Sequence, residues 1–208
     1  MVNDKQIKVI FFDIGDVLLK IHPERMISKI SNCANIPYKV VESAFPQNAH
    51  DAYERGKMTD YDWYMSCKTA LPKNNSLTED QFWESWSLLL GSETDVVDIL
   101  INLKKNYKIW LLSNTNPMHI NNEVESKYVF QKLVDGAIYS YDVGYRKPEK
   151  EIYQIACESA EVDPEKSIFI DDLKENIMGA NKVGLNGIHY RDTRYLFKEL
   201  RRLKIINV

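Results

Sequence analysis

The sequence predicts an α/β fold, three layers deep, built on a parallel sheet and interrupted by an inserted helical segment. Three observations lead there. Short, almost wholly apolar runs recur at strand length, as strands covered on both faces require. Helical patterns separate the later runs, as crossover connections demand. Residues from about 21 to 90 contain no convincing run of this kind.

In chain order, Val9-Ile10-Phe11-Phe12 is the first run, after a charged lead-in. Ile109–Leu112, Ala137–Tyr139 and Ser167–Ile170 follow, with a weaker one at Gly187–Tyr190. Val96, Val97, Ile99, Leu100 and Leu103 recur at helical spacing. So do Ile152, Ile155 and Ala156, and then Ile177, Ala180 and Val183, where Gly184 is a stop signal. Between the first and second runs the chain is rich in aromatic and polar residues and is broken by Pro37, Pro46 and Pro72. The expected organisation is therefore a discontinuous core, residues 1–20 and 91–208, with a helical cap at residues 21–90. Trp63, Phe82, Trp83 and Trp86 are expected to form the interior of that cap.

Composition narrows the class. The 208 residues are 44% apolar, enough for a sizeable core. Lys+Arg is 27 against Asp+Glu 30, a formal net charge of −3, which excludes the basic excess that non-specific nucleic-acid binding needs. Val9–Leu19 contains Asp13 and Asp16, so it reads neither as a signal-peptide core nor as a membrane span. Cys33, Cys67 and Cys157 are odd in number and include no CxxC, which argues against a disulfide framework or a zinc site. Free thiols, buried as small hydrophobes in a cytoplasmic protein, are the expectation.

In an open α/β sheet, ligands lie beyond the carboxyl ends of the strands. There the sequence places Asp13-Ile14-Gly15-Asp16, then Ser113-Asn114-Thr115-Asn116, then Arg146-Lys147-Pro148, then Asp171-Asp172. Singly, each has an ordinary structural role: a turn residue, loop chemistry, helix-start punctuation or an N-cap. Together, at successive strand ends, they suit phosphoryl chemistry. Carboxylates from two strands can hold Mg²⁺, a hard cation that prefers oxygen. The metal and Lys147 would shield a phosphate from those carboxylates, so that one Asp can attack phosphorus. Ser113 and Asn114 would hydrogen-bond the phosphoryl oxygens.

The residues Val9–Leu19, Leu111–Asn116, Gly144–Tyr153 and Ile168–Gly184 resemble the motifs of the haloacid dehalogenase (HAD) superfamily. Within it they look most like the capped phosphatase-like subfamily, of the bacterial α-glucose-1-phosphate phosphatase and epoxide hydrolase N-terminal phosphatase type. The resemblance spans essentially the whole chain and is weakest in the helical part. It implies a Rossmann-like core with a helical cap, and Mg²⁺-dependent hydrolysis of small phosphate monoesters, such as glucose 1-phosphate, through an aspartyl-phosphate. It assigns Asp13 as nucleophile and metal ligand, Lys147 as a catalytic and phosphoryl-binding residue, and Ser113 and Asn114 as phosphoryl-binding residues. Asp172, Asp171 and the Gly15 carbonyl join the metal, with Asn176 supporting it through water. The implied partner is a small phosphate ester, with neither nucleic acid nor membrane.

One departure stands out. The family's second Asp, a general acid/base two residues after the nucleophile, is here Gly15. Asp16 is adjacent, but neighbouring side chains on an extended segment point to opposite sides. His22 is the other titratable group near this place, and the surface is its ordinary location. The departure argues against a mutase and for slow turnover. It also leaves two alternatives: a metal-free dehalogenase-type hydrolase, or a catalytically weak phosphate-binding regulatory module. Asp171-Asp172 favours the metal-dependent phosphatase over the first. His50, Tyr53, Glu54 and Arg55 either face the site or form a solvated helix end.

Overall fold

The computed structural model describes residues 6–206; the expected core segments extend to residues 1–5 and 207–208, which lie outside the described residues. Among the described residues, seven strands run in chain order: β1 Val9–Phe12, β2 Leu19–Ile21, β3 Leu90–Glu93, β4 Lys108–Ser113, β5 Gly136–Tyr139, β6 Ser167–Asp171 and β7 Asn186–His189. Among the described residues, five of them form a parallel sheet in the order β5-β4-β1-β6-β7. The four expected runs and the weaker fifth are its strands.

β1 lies at the centre because all four of its side chains are apolar and buried. They alternate between two layers. Ile10 and Phe12 join Ile109, Leu111, Ile168 and Ile170 against helices Val96–Leu103 and Thr193–Arg202. Val9 and Phe11 join Leu112, Ile138 and Phe169 against helices Lys150–Ser159 and Lys174–Lys182. Each such side chain contributes about 1.5–3 kcal/mol by leaving water. The sheet is therefore sealed on both faces, and its polar business is confined to the strand ends.

Between β2 and β3 the chain makes five α-helices: Pro23–Ala34, Tyr38–Ser43, Gln47–Glu54, Asp60–Ala70 and Glu79–Trp86. Pro37 and Pro46 sit at the N-caps of the second and third. Thr59 with Asp62, and Thr78 with Gln81, close capping boxes on the fourth and fifth, each cap contributing about 1 kcal/mol. These helices surround a separate apolar cluster. At its centre Trp63 stacks on Tyr53 with ring centroids 5.5 Å apart and meets Trp86 edge-on at 5.2 Å. Phe82 is fully buried there, whereas Trp83 is half-buried at the edge.

Two features depart from expectation. The short strands β2 and β3 pair as an antiparallel ribbon at the two ends of the helical segment. Leu19-Lys20-Ile21 and Leu90-Gly91-Ser92-Glu93 are too short and too mixed to announce themselves as strands. Of the cysteines, Cys157 is buried as expected, but Cys33 and Cys67 are only half-buried; all three are free thiols. The helical segment is fastened to the sheet by close approach. Gly56 has φ of +66°, and a Cβ there would collide with the Tyr141 carbonyl oxygen, so a side chain is excluded twice over. Among the described residues, no helix is long and apolar enough to cross a membrane.

Candidate active site

Strand register builds the site. Phe12 pairs with Leu111 on one side and Ile170 on the other, so Asp13, one residue on, is level with Leu112 and Asp171. The Asp13 N–H donates to Ile170 O at 2.9 Å, which holds it at the strand end. Lys147 arrives from the loop after β5 and lies across all three positions. Its Nζ is 2.8 Å from Asp13 Oδ1 and donates to Asp171 Oδ2 at 2.7 Å and to Leu112 O at 2.9 Å. The ammonium is buried, 5.2 Å from the centre of the Phe169 ring.

Asn114 fixes that lysine. Its amide donates to Lys147 O at 3.0 Å and its Oδ1 accepts from Lys147 N at 2.8 Å. The Asn114 side chain thus meets the Lys147 backbone with its oxygen and one of its two amide hydrogens. Ser113 is buried at the end of β4, and its hydroxyl makes only a long, 3.5 Å approach to Asn114 O. That is at the limit of hydrogen bonding and leaves the hydroxyl able to serve a ligand.

Asp171 is fully buried. Its oxygens accept from Lys147 Nζ, from Leu173 N at 2.8 Å, and from Asn176 Nδ2 at 3.0 Å to each oxygen. A carboxylate has about four lone-pair directions, and these contacts engage them. Asp171 therefore acts here as the seat of Lys147, and Asn176 grips Asp171 directly. One oxygen from each of Asp13, Asp171 and Asp172 nevertheless lies within 4.8 Å of the others.

The cluster sets three carboxylates against one ammonium. Burial, and then the Asp171 charge, push Asp13 up to about 7, although Lys147 pulls the other way. Burial and Asp171 likewise push Asp172 up to about 6. Burial works against the Lys147 charge, but Asp13 and Asp171 hold its pKa above the ordinary lysine value. An all-oxygen donor set with an excess of buried negative charge fits a hard divalent cation.

At Gly15, a Cβ would meet only Ile21, at 3.4 Å, so there is room for a side chain. The neighbouring backbone is not extended. Asp16 has φ of +50° and its Oδ1 accepts from Ile21 N at 3.2 Å, so this carboxylate closes a turn. His22 pairs with Glu24 at 2.9 Å and covers Gly91.

A second polar layer comes from helix Gln47–Glu54. Arg146 bonds Asp51 and Glu54, both at 2.6 Å, while Arg55 bonds Asp51 at 2.8 Å and Glu149 at 2.6 Å. Glu54 and Arg55 thus hold the loop that carries Lys147, rather than forming a solvated end. Tyr53 turns inward, donating its hydroxyl to Asp60. Sequence reasoning gave Arg146 no role. Its signal was the acidic pair three residues apart, Asp51 and Glu54, on one helix face.

The junction carries another buried group. His119 Nδ1 is 3.0 Å from Asn116 Nδ2, whose Oδ1 accepts from His119 N, and its Nε2 is 3.2 Å from Trp86 O. This pattern needs the neutral tautomer with hydrogen on Nε2. Burial lowers the His119 pKa to about 4.

Comparison with known proteins agrees with this architecture. Residues 7–184 match the model of the haloacid dehalogenase-like hydrolases. A sesquiterpene phosphatase of Aspergillus oryzae is 25% identical over 197 residues, covering 94% of this chain and 96% of its own. A D-ribitol-5-phosphate phosphatase of Bacteroides thetaiotaomicron is 24% identical over 186 residues, covering 86% and 89%. A solved structure of a family enzyme from Bacteroides thetaiotaomicron, in complex with magnesium and inorganic phosphate, superposes with TM-score 0.80 at 24% identity over 92% of this chain and 99% of that one.

Proposed function

The chain belongs to the haloacid dehalogenase-like hydrolase family, and we propose that within it the protein is a Mg²⁺-dependent phosphatase of small phosphate monoesters. The observation that carries the reading is Lys147, ion-paired with Asp13 and hydrogen-bonded to Asp171, with the carboxylate of Asp172 beside them. Relatives that resemble the chain over most of their length are named phosphatases. The helical segment, residues 21–90, is then the cap of a core formed by residues 1–20 and 91–208.

In this reading one Asp13 oxygen attacks phosphorus and the bond from phosphorus to the ester oxygen breaks. Lys147, held by Asn114 and Asp171, favours the ionised form of Asp13 against the effect of burial and faces the phosphoryl oxygens with positive charge. The Ser113 hydroxyl donates to one of those oxygens as charge moves onto them. The departing alkoxide takes its proton from water, because Gly15 has none to give. A second water then attacks phosphorus, releasing inorganic phosphate and restoring the Asp13 carboxylate. Asp13, Asp172 and the Gly15 carbonyl would hold Mg²⁺, with Asp171 behind them, and the ion would neutralise phosphoryl charge.

The test is phosphate release from p-nitrophenyl phosphate by wild type and Asp13→Asn, with Mg²⁺ and with chelator. The expected loss on losing the nucleophile is on the order of 10⁴-fold or more. Chelator should abolish the wild-type rate. Release that persists in Asp13→Asn overturns the reading. Halide release from a 2-haloacid in chelator would transfer the protein to the metal-free alternative.

A further inference from the structure

The helical segment encloses a cavity of about 340 Å³, within the range of small-molecule sites and roughly twice the ~150 Å³ that accommodates a benzene ring. Met26, Ile30, Val41, Leu71, Leu77 and Phe82 are among the apolar side chains of its wall. Glu42 and His50 are the charged or titratable side chains on it besides the Cys67 thiol. Burial lowers the His50 pKa to about 4, so the imidazole is neutral near pH 7.

Three parts of this wall are tied to three parts of the active site. His50 is 3.5 Å from Glu54, which pairs with Arg146, the neighbour of Lys147. Trp86 lies parallel to His119 with ring centroids 5.1 Å apart and accepts its Nε2–H; His119 in turn bonds Asn116, in the loop that begins at Ser113. Pro23 follows Ile21 by two residues, and Ile21 packs over Gly15. The cavity wall is thus linked, through intervening residues, to Lys147, Ser113 and Gly15.

We propose that this cavity receives the leaving group of the substrate, and that the preferred substrate is the monophosphate of an apolar alcohol. The proposal rests on the phosphatase reading and names its substrate class. A sugar placed here would lose the hydrogen bonds of its hydroxyls to water against a wall offering few replacements, a cost of a kind no alkyl chain bears. An alkyl or isoprenoid chain gains with every carbon that enters. The proposal differs from the expectation of glucose 1-phosphate, which came from resemblance.

The experiment is a series of straight-chain alkyl phosphates of increasing length, with glucose 1-phosphate and acetyl phosphate alongside. The expected result is a rise in kcat/KM of roughly fourfold per methylene, up to a plateau where the cavity is full. Ile30→Phe should bring the plateau to shorter chains and Cys67→Ala to longer ones. Calorimetric titration with alkylphosphonates of the same lengths reads affinity without turnover and should show the same plateau. A flat series, or glucose 1-phosphate preferred over a chain of similar size, overturns the proposal while acetyl phosphate is still hydrolysed through Asp13. Failure to hydrolyse acetyl phosphate would instead remove the phosphatase reading. Alkylphosphonate affinity that does not rise with length overturns the cavity assignment in either case.

Discussion

At the strand ends Asp13, Lys147 and Asp171 bury charge against charge; Asn176 and Leu173 N donate to Asp171, Asn114 pairs with the Lys147 backbone, and the Asp13 N–H donates to Ile170 O. Among the helices of residues 23–86 the reverse holds: a largely apolar wall, with Glu42 and His50 as its charged or titratable members besides the Cys67 thiol, surrounds a cavity. The first region is rigid by electrostatic necessity, because each buried charge there depends on another. The second is permissive, because an apolar wall tolerates any occupant of suitable shape. A chemistry shared by a whole family suits the first kind of construction; the choice of alcohol suits the second.

The sharpest way to break the contrast is to remove the charge on which the first region turns. Lys147→Met leaves Asp13 and Asp171 buried without their cation. Losing one partner of a buried ionic group costs about 3–5 kcal/mol. Urea unfolding should show that loss, together with loss of phosphate release. Ile30→Phe, within the second region, should cost no more than about 1–3 kcal/mol, the usual range for overpacking. Equal losses from the two variants would erase the distinction.

Where the two regions meet, His119 supplies a pH test. Its folded pKa of about 4 lies below the value near 6.5 of an unfolded histidine. Between those values the unfolded chain binds more protons, so stability is complete above about pH 6.5 and is lost as pH falls towards 4. The shift corresponds to on the order of 3 kcal/mol. The raised values of Asp13 and Asp172 act with the opposite sign, so the comparison must be internal. His119→Gln keeps an amide donor for Trp86 O and does not titrate. The fall in unfolding free energy from pH 7.5 to 4.5 should be smaller in this variant than in wild type by about 2–3 kcal/mol. An identical fall in both would mean that His119 is not buried in its neutral form.

The two regions were also unequally legible in the sequence. A strand covered on both faces must be almost wholly apolar, so Val9–Phe12 and Ser167–Ile170 are visible as runs, and the first polar residue after each lies in the candidate site. What those residues do to one another was less visible. Asn114 read as a ligand for phosphate because nothing local shows that its amide meets the Lys147 backbone, 33 residues away. Arg146 meets Asp51 across 95 residues. Asp16 was placed on an extended segment because a left-handed residue followed by a short ribbon leaves no periodic trace. The cavity had no signature at all: Met26, Ile30 and Leu77 are the residues that would have filled the space as readily as line it.

Gly15→Asp tests the strand-end region at its one missing part. A Cβ there meets only the flexible side chain of Ile21, at 3.4 Å, so the first atom of a side chain is accommodated. Positioned general acids contribute typically 10²–10⁴-fold, and an uncoached newcomer should recover part of that. For esters of poor leaving groups, such as alkyl phosphates, the expected gain in kcat is about tenfold or more at pH 6–7. For p-nitrophenyl phosphate, whose leaving group needs little protonation, the gain should be much smaller. That split separates an acid from a merely altered pocket, since a packing change at Gly15 would move both substrates together. No gain on either would mean that proton delivery to the departing oxygen is already provided elsewhere. The turn closed by Asp16 and the pair formed by His22 and Glu24 would then be the places to look.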